Sequence, residues 1–188
     1  HQVIYSTTGS LDSDFAKMVE RHCRPYEALF KAYPNHTFLF EITDASDVHI
    51  IQEQLGETLI GIIEAASGRQ FREDEVDKIA AEYGLQRPPL LENIRFGELK
   101  ALLKTVKHEG FMVFDAETKE TLCKLKPPYY LVSKFFGRSN ENNLGRKLDK
   151  KHLDEEYYPL VDYIREQRDT FSTLNEQEKI AFIQHYLE

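Results

Sequence analysis

Apolar and polar residues alternate through HTFLFEIT, residues 36–43, and the stretch is rich in β-branched and aromatic side chains between Asn35 and Asp44. That pattern predicts a strand. A second strand is expected over 57–64, ETLIGIIE. Two more are expected over 110–115 (GFMVFD) and 121–126 (TLCKLK), joined by a short polar turn as a hairpin. The opening Val3, Ile4 and Tyr5 also read as a strand, ended by a turn at Gly9. Helical spacing predicts a helix from Leu11, capped at Asp12 or Ser13, with Phe15, Met18 and Val19 on one face, and a second stretch over 26–32 that Pro34 and Asn35 end. Further helices are expected over 73–83 and, after the turn at Pro88 and Pro89, over 96–106.

Residues 137–151, GRSNENNLGRKLDKK, have the composition of a loop, and the chain beyond them turns helical again, with Leu174, Asn175 and Glu178 marking a helix start. The expected organisation is an α+β core over 1–136, a basic linker over 137–151 and a helical segment over 152–188. With 188 residues, 41% of them hydrophobic, the chain can bury a proper core. No apolar run is long enough for a membrane span and no signal peptide is visible, so the expected setting is the cytoplasm, without a membrane or an evident protein partner. Cys23 and Cys123 are a hundred residues apart with no metal-ligand spacing around them, and both read as buried small hydrophobes. His36, His49 and His108 are isolated from other ligands and receive no catalytic role.

The formal charge of −8 argues against indiscriminate binding to nucleic acid, but it is unevenly spread. Residues 124–151 hold eight Lys or Arg against two acids, so one stretch is built to meet polyanions. Three features there and upstream could carry chemistry. Glu41 stands among apolar residues in a strand, where burial without a partner would be costly. Glu109 precedes Gly110, a place where backbone can approach a ligand closely while the carboxylate holds a cation or a sugar hydroxyl. Lys124 and Lys126, two apart in a strand, project side by side with Leu125 turned the other way. Adjacent ammonium groups repel unless an anion lies between them, and phosphate is the natural one. Taken singly, each feature also fits a solvated surface. Together, carboxylates and paired lysines on separate strands are what adenylyl transfer requires.

In this order the stretches resemble the covalent nucleotidyltransferases, and among them the phage-type ATP-dependent RNA ligases. HTFLFEIT is similar to the family's third motif, with Glu41 as the ribose-contacting acid, and ETLIGIIE to the following strand that flanks the adenine, with Ile62 beside the base. HEGFMVFD resembles the fourth motif, with Glu109 as the metal-linked acid and Met112 packing under the base. CKLKPPYY resembles the fifth, with Lys124 and Lys126 as phosphate-binding lysines. The resemblance covers about residues 1–136. It implies an ATP-grasp-like nucleotidyltransferase core of antiparallel sheets with flanking helices, followed by a small helical C-terminal region. It also implies ATP and Mg2+ (or Mn2+) as cofactors, and as substrate RNA with 5′-phosphate and 3′-hydroxyl ends, transfer RNA among the candidates. Catalytic roles fall to Lys124, Lys126 and Glu109, and nucleotide contacts to Glu41, Ile62, Met112 and the two lysines.

The family's nucleophile is a lysine in Lys-x-Asp-Gly, and this chain contains no such motif. Lys107-His108-Glu109-Gly110 comes nearest but lacks the downstream strands and the second acid–glycine motif. The chain is therefore expected to start just after the nucleophile and to be unable to adenylylate itself. Alternatives within the class are a DNA ligase or a capping guanylyltransferase. Outside it stand a catalytically inactive nucleic-acid-binding module and an α+β domain whose charged strands simply face water. Tyr129, Tyr130, Phe135 and Phe136 interleave with the basic stretch and serve either as stacking surfaces for bases or as core.

Overall fold

The computed structural model describes residues 2–46, 51 and 54–188; His49 lies outside them. It is a mixed α+β fold with two small antiparallel sheets. Two compact units are present, one of residues 2–46, 54–93 and 114–122, the other of Ile51, Ile94–Val113 and Cys123–Glu188.

In the first unit the opening residues join no sheet among the described residues, and Ile4 is 70% exposed. β propensity alone makes no strand without a neighbouring edge. Helix α1, Asp14–Cys23, starts as expected, with the Ser13 hydroxyl accepting from the Ala16 amide at 3.1 Å. Ala16 and Cys23 are buried, and Met18 and Val19 of the expected face are half-buried, whereas Phe15 stays exposed. Burial pushes the Cys23 thiol up to about 12, which keeps it inert.

A 3-10 turn, Arg24–Tyr26, leads into α2, Glu27–Ala32. Strands β1 (His36–Thr43) and β2 (Gly56–Glu64) then pair antiparallel in the places their alternation predicts. A bulge between Leu39 and Phe40 keeps Phe38 opposite Ile62 and Phe40 opposite Leu59, so both pairs look inward. Helix α3, Glu73–Tyr83, contributes Val76, Ile79 and Ala80 to the core that Leu29, Leu59, Ile62 and Leu85 complete. Gly84 ends this helix at φ 68°, a conformation that glycine adopts without strain.

The second unit begins with α4, Phe96–Leu103, shorter than expected because the chain turns at Lys104 and Thr105. Strands β3 (Phe111–Phe114) and β4 (Thr121–Leu125) form the predicted hairpin, whose base belongs to this unit and whose tip belongs to the first. Cys123 is exposed, contrary to the expected burial. The four residues Thr121 to Lys124 are all exposed, so a two-stranded ribbon gives it no second layer to sink into.

Pro127 and Pro128 turn the chain directly from β4 into α5, Pro128–Gly137, with proline at the first helical position. Helices α6 (Leu144–Lys147), α7 (Tyr158–Glu166), α8 (Arg168–Thr173) and α9 (Glu176–Leu187) follow. Val132, Phe136, Leu144, Leu148, Leu160, Val161, Ile164, Phe171 and Ile183 share one core. Leu144 and Leu148, which lie within the polar stretch 137–151, are buried in that core. Gly137 allows α5 and α9 to approach, since a Cβ there would sit 2.4 Å from Ile180 Cγ1. Lys147 and the buried Lys179 satisfy carbonyls at the end of α5, Lys147 donating to Phe135 and Arg138 and Lys179 to Ser139.

Candidate functional site

Gly110 fixes the geometry at the base of the hairpin. Its φ of 139° admits glycine, and a Cβ would lie 2.0 Å from the Leu125 carbonyl oxygen, so the two strands approach there as close as backbones can. That approach brings the residue before Gly110 against those flanking Leu125. Lys126 Nζ donates to Glu109 Oε1 at 2.7 Å, and Lys124 Nζ lies 3.5 Å from the same oxygen.

The lysines thus do project side by side, and the anion between them is the Glu109 carboxylate. Burial pushes that carboxyl up, but the hydrogen bond and charge of Lys126, with the charge of Lys124, outweigh it and leave Glu109 below its ordinary value. Lys126 loses some charge stabilisation to burial, yet the bond to Glu109 and the adjoining Tyr130 raise it overall. By formal charge the two lysines and Glu109 leave one positive charge in excess.

Tyr130 supports Lys126 from below: the ammonium sits 4.2 Å from its ring centroid. The ring is 7% exposed and packs with Ile180 of α9. Tyr130 and Phe136 are therefore core, and neither offers a face to a base. Met112, on β3, is 49% exposed and open to contact.

Glu41 and Ile62 belong to the first unit. Glu41 is exposed on the outward face of β1, opposite Thr58. Ile62 is 1% exposed, inside the core with Val76 and Ile79, so it has no surface to turn toward an adenine. Ile62 lies opposite Phe38 across the β1–β2 ribbon. Among the described residues no group of three or more His, Cys, Asp or Glu gathers as a metal site. No described helix is long and apolar enough to cross a membrane.

One cluster escaped the sequence reading. His22 of α1 sits between two carboxylates, with Nε2 at 2.9 Å from Asp44 and Nδ1 at 3.2 Å from Glu57. Arg21 also reaches Asp44 at 2.8 Å, Ser46 donates to it, and the Tyr26 hydroxyl donates to Glu57 at 2.6 Å. Both imidazole nitrogens face acceptors, which requires the doubly protonated ring. The Asp44 bond raises His22, with Glu57 helping against burial, and Asp44 itself is held well below its ordinary range by His22, Ser46 and Arg21. No spacing rule joins residues 22, 44 and 57, so only the fold could reveal them.

The signs define a window. The raised His22 contributes stability in full below its unfolded value of 6.5 and loses it as pH rises through the folded one. The lowered Asp44 contributes above 3.8 and loses it as pH falls through its folded value. The clamp between α1 and the β1–β2 ribbon is therefore strongest between those two values. Urea midpoints measured from pH 5 to 9 are expected to decline above 6.5 in the wild type. A His22→Gln variant should flatten that decline, and an unchanged pH profile would contradict the assignment.

No family model matches the chain, and no curated protein matches it.

Proposed function

We propose that the chain is part of an ATP-dependent RNA ligase with a nucleotidyltransferase core, in which Lys124 and Lys126 bind phosphate and Glu109 holds them and a divalent cation. The observation that carries this reading is the convergence of the two lysines on Glu109, from three positions that the motif order had linked. A glutamate and two lysines with surplus positive charge make a site for a polyphosphate with Mg2+, since magnesium is commonly held by one or two carboxylates plus substrate phosphates. Glu109 would supply that ligand, and the bound ion would neutralise charge developing on the phosphates.

In the sealing step of such a ligase, the 3′-hydroxyl oxygen of one strand bonds to the 5′-phosphorus of an adenylylated strand. The bond from that phosphorus to AMP breaks, AMP leaves with the electron pair, and the hydroxyl proton passes to solvent. Lys126 would stabilise charge on the phosphates, and Glu109 would keep Lys126 in place. Forming the adenylate needs a nucleophilic lysine, which this chain does not contain in the family's motif; sealing a strand that is already adenylylated does not need one.

Calorimetric titration with ATP and Mg2+ tests the phosphate assignment. Binding is expected, weakened about tenfold or more by Lys126→Ala, the cost of one charge-assisted contact. No binding at millimolar ATP, or equal binding by wild type and variant, would refute it.

A further inference from the structure

We propose that Lys134 is a third cation of this site and takes a phosphodiester of single-stranded RNA, separate from the nucleotide phosphates assigned to Lys124 and Lys126; the inference rests on that assignment. Lys134 Nζ lies 5.5 Å from the centroid of the Tyr130 ring, and Lys126 Nζ lies 4.2 Å from the same centroid. The two ammonium groups are therefore within about 10 Å of each other, a distance suited to neighbouring phosphates of one strand.

Helix geometry explains the meeting. Lys134 is one turn beyond Tyr130 on α5, and helical side chains lean toward the N-terminal end. That lean carries its ammonium back toward the end of α5 that follows Lys126. Tyr130, buried against Ile180, is a fixed post within reach of both.

The local charges leave Lys134 available. Glu109 already serves Lys124 and Lys126. Nearby cations are engaged elsewhere: Arg138 with Glu176, Lys150 with Asp162, and Lys147 with the carbonyls of Phe135 and Arg138. Lys134 forms no ion pair among the described residues. Gathering three ammonium groups about one ring and one carboxylate is unfavourable until a further anion joins them. A nucleotide would neutralise the pair at Glu109, and a backbone phosphate of the RNA would neutralise Lys134.

The test is the salt dependence of binding to a 5′-phosphorylated single-stranded RNA, followed by fluorescence anisotropy, with ATP·Mg2+ titrated separately. Lys134→Gln is expected to weaken RNA binding several-fold, to lower the slope of log K against log salt by about 0.7, and to leave ATP binding unchanged. Lys134→Arg keeps the charge and should restore the slope. An unchanged slope in Lys134→Gln, a parallel loss of ATP affinity, or a wild type that binds no RNA would overturn the inference. A wild type that binds RNA with a Lys134-dependent slope but binds no ATP would keep the phosphodiester contact and remove the ligase reading.

Discussion

Gly110→Ala is expected to lower stability by on the order of 3 kcal/mol or more, measured as a urea midpoint shift at constant m-value. Two independent penalties act at this position. The backbone φ of 139° lies where residues with a Cβ are strained, and the added carbon would collide with the Leu125 carbonyl oxygen at 2.0 Å. That oxygen belongs to backbone between the two site lysines, so relief requires the hairpin base to open and Lys124 and Lys126 to move from Glu109. Stability and phosphate binding should therefore fall together. Gly145→Ala is the control, because nothing lies within 4 Å of its would-be Cβ, and its stability should stay near wild type. A loss below about 1 kcal/mol at Gly110 would mean that the strands do not approach as described.

Under the proposed ligase function, Lys126→Ala is expected to slow the sealing of adenylylated RNA by about 100- to 1000-fold, the usual effect of deleting one preorganised donor from a developing negative charge. Lys124→Ala should cost less. Lys126 is 26% exposed, bonds Glu109 at 2.7 Å and rests on Tyr130, whereas Lys124 is 52% exposed and stands at 3.5 Å. A preorganised, partly desolvated charge stabilises a transition state more than a mobile solvated one. Single-turnover rates on a pre-adenylylated strand read this directly, and equal losses for both variants would contradict the ranking.

The sequence announced what local periodicity controls. Strands β1 and β2, helix α3 and the β3–β4 hairpin all stand within a residue or so of their expected ends, because alternation and turn chemistry act over short distances. The side-by-side projection of Lys124 and Lys126 was legible for the same reason. Tertiary context decided the rest. Among the described residues Val3 to Tyr5 join no sheet, Phe15 stays exposed beside the buried Ala16, and Ile62 lies inside opposite Phe38.

The burial of Leu144 and Leu148 was hidden by the polar residues around them, since composition marks a loop without revealing which leucines find a core. The Lys126–Glu109 contact spans 17 residues and the His22 cluster 35, separations that no local pattern encodes. Glu41 and Glu109, joined by motif order in the sequence, belong to different units, and the lysine–glutamate cluster belongs to the second.

The proposed ligase activity is tested by supplying the chain with Mg2+, a 5′-adenylylated RNA and a 3′-hydroxyl RNA and following the joined product by gel. Because the substrate already carries AMP, no protein nucleophile is needed. A ligated product, with AMP released in equal amount and both lost in Lys126→Ala, is the predicted result. A folded chain that binds the RNA yet joins no strands would contradict the ligase reading and make the lysine–glutamate cluster a binding site alone.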